Sequence, residues 1–254
     1  MSATPAAAAL PPLEQGSLSA RVYGVLREAL IGGTFGPGQR IIMQDLAGRL
    51  GVSVTPVREA CLRLVSECGL EVGAGRIIAV PQLDLARYLE IRMIRMALEG
   101  MAAELAAGHA TAADVRDLLD IQRRFEHARH ARDTAVAIAA NRQFHFGVYH
   151  LSRRDLLIRQ IETMWISMGP ILKVYHEEIL TDYLDADEHV RAIDALSAGD
   201  GAAAREAMVR DLIRGGEGII RHLTMLQAAT EESASAPPAV CGERRPLTKL
   251  PAGP

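Results

Sequence analysis

Aromatic side chains are scarce in this 254-residue chain, at 4%, and cysteine is scarcer still, with three residues in all. Few aromatics beside abundant Ala, Leu, Arg and Glu argue against a sheet-built fold: unbranched side chains lose little rotamer freedom in a helix, whereas sheets draw on β-branched and aromatic residues. The cysteines, Cys61, Cys68 and Cys241, are odd in number and exclude a disulfide scaffold. The first two lie seven apart on one expected helix, roughly 10 Å by helical rise, beyond disulfide reach. Reduced thiols fit a cytosolic compartment. No stretch approaches the ~18 uninterrupted apolar residues of a membrane span, and the alanine run after Met1 lacks a basic flank and is not read as a signal peptide. A cytoplasmic chain with no membrane partner is expected. Strong net charge is missing too: −3 overall and a pI near 6.3 exclude a protein that coats nucleic acid by bulk charge, while leaving room for a local basic surface.

What the chain does have is an ordinary globular apolar content of 49% over 27.4 kDa, enough for one large domain or two modest ones. Residues 1–16 and 229–254 are rich in Ala, Pro, Ser and Gly without an apolar period, and read as disordered tails. Between them almost everything has helical periodicity. After Ser17, the residues Val22, Val25, Leu26, Ala29 and Leu30 form an apolar stripe that ends in a glycine-rich turn at 32–38. A short helix follows over about 43–50, stopped by Gly51. The next is predicted to begin at Pro56 with Thr55 as N-cap, burying Val57, Cys61, Leu64 and Val65 and exposing Arg58 and Arg63. Two short helices joined by a tight turn behind an initial helix make a helix-turn-helix candidate.

The run GLEVGAGRIIAVP then carries the one cluster of strand-like residues. Gly73 and Gly75 before a strand at 77–80 predict a β-hairpin, which would form a wing. Residues 17–82 hold seven arginines against five carboxylates, while the rest of the chain is net acidic, so the positive balance sits where phosphate would be met. From 83 to 228 the pattern predicts helices near 84–107, 111–129, 132–151, 155–179, 186–198 and 201–226, a bundle of the kind that holds ligands between helices. The expected fold is therefore mainly α: a winged helix-turn-helix at 17–82 and an all-helical domain at 83–228.

These stretches also carry a resemblance. PGQRIIMQDLAGRLGVSVTPVREACLRLVSECGL resembles the winged-helix signature of GntR-type bacterial transcriptional regulators. ARYLEIRMIRMALEGMAAELAA, NRQFHFGVYH and EHVRAIDALSAGDGAAAREAM, in that order, resemble the FCD ligand-sensing domain of the FadR-like subgroup. The resemblance covers residues 18 to 226 and implies an operator-binding homodimer, a repressor by preference, whose helical domain senses a small carboxylate effector. It implies DNA contacts at Ser53, Thr55 and Arg58, with Arg49 beside them and Gly75 and Arg76 on the wing. Val54 stands where the family usually has an operator-contacting Arg, and a bidentate contact of that kind is worth about 1–3 kcal/mol of discrimination. The wing is also about two residues shorter than the family's.

Asn141 and His145 share one helical face at i, i+4 spacing. The family pattern has Asp-x-x-x-His there, then His at the positions of 189 and 211, which together bind a divalent metal beneath the effector pocket. This chain has Asn141, His145, His189 and Asp211. Two imidazoles and a carboxylate remain a workable set for Zn, Ni, Mn or Fe, zinc or nickel first, with Asn141 as a neutral oxygen donor. The plainer alternative is a metal-free domain in which His145 and His189 are hydrogen-bonded core residues. Arg95 with Glu99 at i, i+4 reads either as a surface pair or, by the resemblance, as the cation that holds the effector carboxylate. Two rival functions stand beside regulation. One is a metal-dependent enzyme on a helical bundle, against which no further acid, base or nucleophile sits at motif spacing. The other is a co-regulator whose degenerate winged helix binds protein.

Overall fold

The structure, a computed structural model, describes residues 18–174 and 187–235. The expectations for residues 1–16 and 236–254, for helix at 175–179, and for Cys241 lie outside the described residues.

Three helices open the chain: α1 (Leu18–Ile31), α2 (Met43–Leu50) and α3 (Val54–Ser66). Their apolar faces meet in one core of Val22, Leu26, Leu30, Val57, Cys61 and Leu64, all under 5% exposed. Val25 does not join it and is half exposed, because its place on α1 points away from α3. Gly51, in the left-handed region at φ 66°, ends α2 and turns the chain tightly into α3. Helix α3 begins two residues before the predicted start, with Ser53 and not Thr55 at the N-cap. Pro56 thus falls at the third helical position, which it tolerates because the first-turn N–H groups have no intrahelical acceptor to lose.

Strands β1 (Glu71–Val72) and β2 (Ile78–Ala79) pair antiparallel, Glu71 opposite Ala79 and Val72 opposite Ile78, so the expected hairpin is present though its second strand is two residues shorter. Gly75 and Arg76 turn its tip with φ of 70° and 60°. An unforeseen third segment lies along β2: the Ile41 N–H donates to the Ile78 carbonyl and the Val80 N–H to the Gln39 carbonyl.

Six helices follow: α4 (Leu85–Ala107), α5 (Ala112–His130), α6 (Thr134–Leu151), α7 (Asp155–Val174), α8 (Asp187–Ala198) and α9 (Gly201–Ser235). Asp84, Thr111 and Asp133 cap the starts of α4, α5 and α6 with side-chain oxygens. Helix α9 runs nine residues past its predicted end at 226, so residues 229–235 are helical and not tail. The apolar stripe stops near Leu226, but the Ala- and Glu-rich segment behind it has strong helix propensity and extends the helix without needing a buried face. Helix α4 lies at the centre, against α6, α7, α8 and α9. It approaches α9 closely at Gly216, where an added Cβ would overlap the Tyr88 hydroxyl.

Helix α7 also carries the N-terminal unit. An added Cβ on Gly169 would overlap the Leu30 carbonyl, and one on Gly69 would overlap Ile166, so the end of α1 and the end of α3 sit directly on α7. Ion pairs flank the contact: Arg27 Nη2 lies 2.6 Å from Glu162 Oε1, and Arg142 grips both oxygens of Glu28 at 2.6 and 3.0 Å.

Candidate DNA-reading face and metal centre

The exposed edge of α3 begins at its N-terminus. Ser53, Thr55 and Arg58 are all exposed, and so are Arg49 on α2 and Gly75 and Arg76 at the hairpin tip. Arg49, Arg58 and Arg76 form no ion pair among the described residues, which leaves their charge available to an anionic partner. Arg63 differs. It is committed to Glu67 at 3.1 Å and lies over the Tyr23 ring at 3.6 Å, while the Tyr23 hydroxyl donates to Glu67. That cluster fastens α1 to α3 and raises the Tyr23 phenol to a pKa of about 12, by burial first and then by its bond to Glu67.

Inside the helical bundle three elements converge. α6 supplies His145, α8 supplies His189 and α9 supplies Asp211, with one donor atom from each lying within 4.8 Å of the others. His145 Nε2 is 3.3 Å from Asp211 Oδ2, and His189 Nε2 is 3.6 Å from Asp211 Oδ1. Both imidazoles are buried, and the Asp211 side chain is 12% exposed. Phe144 stacks on the His189 ring at a centroid distance of 3.9 Å, and Trp165 lies 5.4 Å from His145. Burial lowers the His189 pKa to about 3 despite the opposing pull of Asp211, so the ring is neutral at physiological pH.

The far nitrogen of each imidazole is already occupied. His189 Nδ1 is 2.7 Å from Gln122 Oε1, and the Gln122 amide nitrogen donates to Glu126 at 2.9 Å, which fixes the amide's direction and makes His189 the donor. His145 Nδ1 is 2.9 Å from the Tyr149 hydroxyl, which in turn meets Glu99 Oε2. With its Nδ1 donating to Gln122, His189 turns the lone pair of Nε2 toward Asp211, and His145 also faces Asp211 with Nε2. His189 Nε2, buried, has no hydrogen-bond partner, since 3.6 Å is too long for one. An orphaned imidazole nitrogen beside a second imidazole and a carboxylate, with both rings oriented from behind, is what a divalent cation requires of its ligands. The residues fit a metal better than the plainer reading of satisfied core histidines.

Asn141 lies one turn before His145 on α6, half-buried. Arg95 is not half of a surface pair. Its Nε donates to Glu99 Oε1 at 2.6 Å and its Nη2 to Oε2 at 3.3 Å, with the Arg95 side chain 9% and the Glu99 side chain 0% exposed. Trp165 Nε1 adds a third donor to Glu99 at 3.0 Å, and the guanidinium lies 4.8 Å from the Trp165 ring centre. Burial alone would lower the Arg95 pKa, but the Glu99 charge outweighs it and holds the proton more tightly than usual. The charge of Arg95 is thus offset within the protein and adds no net positive potential. Sequence reasoning missed Gln122, Tyr149 and Trp165 in these roles. The one signal available was that Tyr149 follows His145 at i+4.

Residues 18–80 match the family model of bacterial regulatory proteins, gntR family, and residues 90–214 match that of the FCD domain. The chain is 35% identical over 196 residues to the HTH-type transcriptional regulator McbR of Escherichia coli K12, an alignment covering 76% of this chain and 88% of that protein. A solved structure of E. coli McbR/YncC superposes with a TM-score of 0.74 at 32% identity, covering 84% of this chain and 100% of the other. A probable D-xylose utilization operon transcriptional repressor of Paenarthrobacter nicotinovorans is 32% identical over 177 residues, 67% of this chain and 75% of that one. A putative GntR regulator from Rhodococcus, with a TM-score of 0.62 at 23% identity, shares the fold. The chain belongs to the GntR family of bacterial regulatory proteins, with an FCD domain behind its DNA-binding region, and is a transcriptional regulator and not an enzyme.

Proposed function

We propose that this regulator is a cytoplasmic homodimeric repressor that binds a pseudo-palindromic operator and is released by a small organic acid sensed at a divalent metal in the helical domain. In this reading residues 17–82 read DNA and residues 83–228 sense and dimerise. Ser53, Thr55 and Arg58 enter the major groove on α3, Arg49 holds phosphate, and Gly75 with Arg76 reaches the neighbouring minor groove. One short helix reads few base pairs, and two-fold symmetry doubles the contact.

His145, His189 and Asp211, with Asn141 as a fourth oxygen donor, would hold zinc or nickel. The observation that carries this reading is the pair of imidazoles whose Nδ1 positions are taken while both Nε2 atoms face Asp211. A divalent ion held by one carboxylate and two neutral imidazoles keeps a net +1 in a partly dry site, which favours an anion at its remaining positions. The acid is therefore placed on the metal, with Arg95 offering only the donors that Glu99 does not take. Elemental analysis of untagged protein, followed by thermal shift with added zinc or nickel, tests it. Stoichiometric metal in the wild type, lost with its stabilisation in His145→Ala and His189→Ala, is the expected result. Metal far below stoichiometric with no stabilisation on addition defeats it.

A further inference from the structure

Glu99 lies on α4 and is fully buried. It accepts from Arg95 Nε and Trp165 Nε1 on Oε1, and the Tyr149 hydroxyl closes on Oε2. That hydroxyl has one proton and three neighbours that could take it: the Glu99 carboxylate, His145 Nδ1 and the weakly accepting Met208 sulfur at 3.7 Å. A buried carboxylate is the strongest acceptor. The phenol donates to Glu99, its oxygen must then accept from His145, and the imidazole proton is pinned to Nδ1. Without that bond Asp211 Oδ2, 3.3 Å from Nε2, would attract the proton to the metal-facing side.

We infer that Glu99 is a positioning residue for the metal centre, acting through Tyr149 to hold His145 in the tautomer whose Nε2 lone pair faces the site. The consequence of neutralising it follows from hydrogen-bond direction. In Glu99→Gln the amide oxygen stays with the two short donors Arg95 Nε and Trp165 Nε1, and the amide NH2 takes the place of Oε2 toward Tyr149, giving up the longer 3.3 Å bond from Arg95 Nη2. The Tyr149 oxygen then accepts, its proton goes to His145 Nδ1, and the imidazole must carry its own proton on Nε2, where Asp211 receives it. Tyr149→Phe reaches the same tautomer by a different route, by deleting the acceptor at Nδ1. His189 is wired separately through Gln122 and serves as an internal control.

The inference concerns the metal site of the proposed function, but its primary readout needs no metal. Long-range 1H–15N correlation spectra of 15N-labelled, metal-free protein at about pH 8.5, above the ordinary imidazole pKa, report the tautomer of each ring, with His145 assigned by its loss in His145→Gln. Wild type is expected to show His145 protonated on Nδ1. Glu99→Gln and Tyr149→Phe are expected to show it on Nε2 with His189 unchanged, and zinc affinity by chelator competition to fall about 10–100-fold in both. Nε2 protonation in the wild type overturns the inference, as does an unmoved His145 tautomer in a folded variant, even if zinc affinity drops. Should either variant fail to fold, the other and the wild-type spectrum still decide. If the tautomers behave as stated and the wild type binds no zinc, the metal reading fails while the role of Glu99 stands.

Discussion

At the residue scale, Arg58 and Glu99 show two opposite uses of charge. Arg58 is exposed and unpaired among the described residues, so its removal costs the fold little and the operator complex much. Arg58→Ala should weaken operator binding at least about tenfold and, if it holds phosphate, reduce the salt slope by about one, as read by anisotropy titrations across ionic strength. Glu99 is the reverse. Glu99→Ala strands the buried guanidinium of Arg95 and the Trp165 N–H together, and should destabilise the protein by about 3–5 kcal/mol in denaturant unfolding. His145, His189 and Asp211 were legible as ligand candidates through the family pattern, and the structure brings them together. Gln122 was not, because its bond to His189 spans 67 positions and leaves no period in the sequence, and the i+4 spacing of Tyr149 from His145 gave no hint of its bond to Glu99, 50 positions away.

At the element scale, periodicity placed all nine helices of the described residues, because each has a face to bury. It failed where burial was not the cause. The end of α9 is set by propensity, and the start of α3 by how early the chain leaves the Gly51 turn. The hairpin tip shows a cost accepted for position: Arg76 holds φ 60°, a conformation that strains any residue with a Cβ by about 1–2 kcal/mol. Arg76→Gly should therefore leave the melting temperature equal or higher while weakening DNA binding severalfold. A loss of both together, measured by calorimetry beside gel shift, would show that the side chain serves the fold and not the operator.

At the scale of the whole molecule, α7 belongs to both halves. Trp165, bound to Glu99 and beside His145, shares one stripe of α7 with Glu162 and Gly169, which seat α1, and adjoins Ile166, which seats the end of α3. No sequence period announces such a contact, since it depends on missing side chains at Gly69 and Gly169 as much as on present ones. Gly169→Ala must push the Leu30 carbonyl away, an overpacking cost of about 1–3 kcal/mol. It should reorient the DNA-binding unit while leaving metal uptake intact, a separation that small-angle scattering with metal analysis would register. Replacing both Glu28 and Glu162 with Gln removes two partly exposed ion pairs and should cost less than about 2 kcal/mol, since such pairs are each worth ~1 kcal/mol or less, yet change how strongly the two halves influence each other.

In the proposed function an acid bound at the His145–His189–Asp211 centre changes operator affinity through the protein. The most direct test is an anisotropy titration of zinc-loaded protein on DNA from the promoter beside its own gene, with and without the organic acid that most raises its melting temperature, in wild type and in His189→Ala. The acid is expected to shift the wild-type Kd by about 5–150-fold, the usual range of allosteric coupling, and to leave His189→Ala unmoved. An equal shift in both proteins, or none in the wild type, would contradict the proposed function.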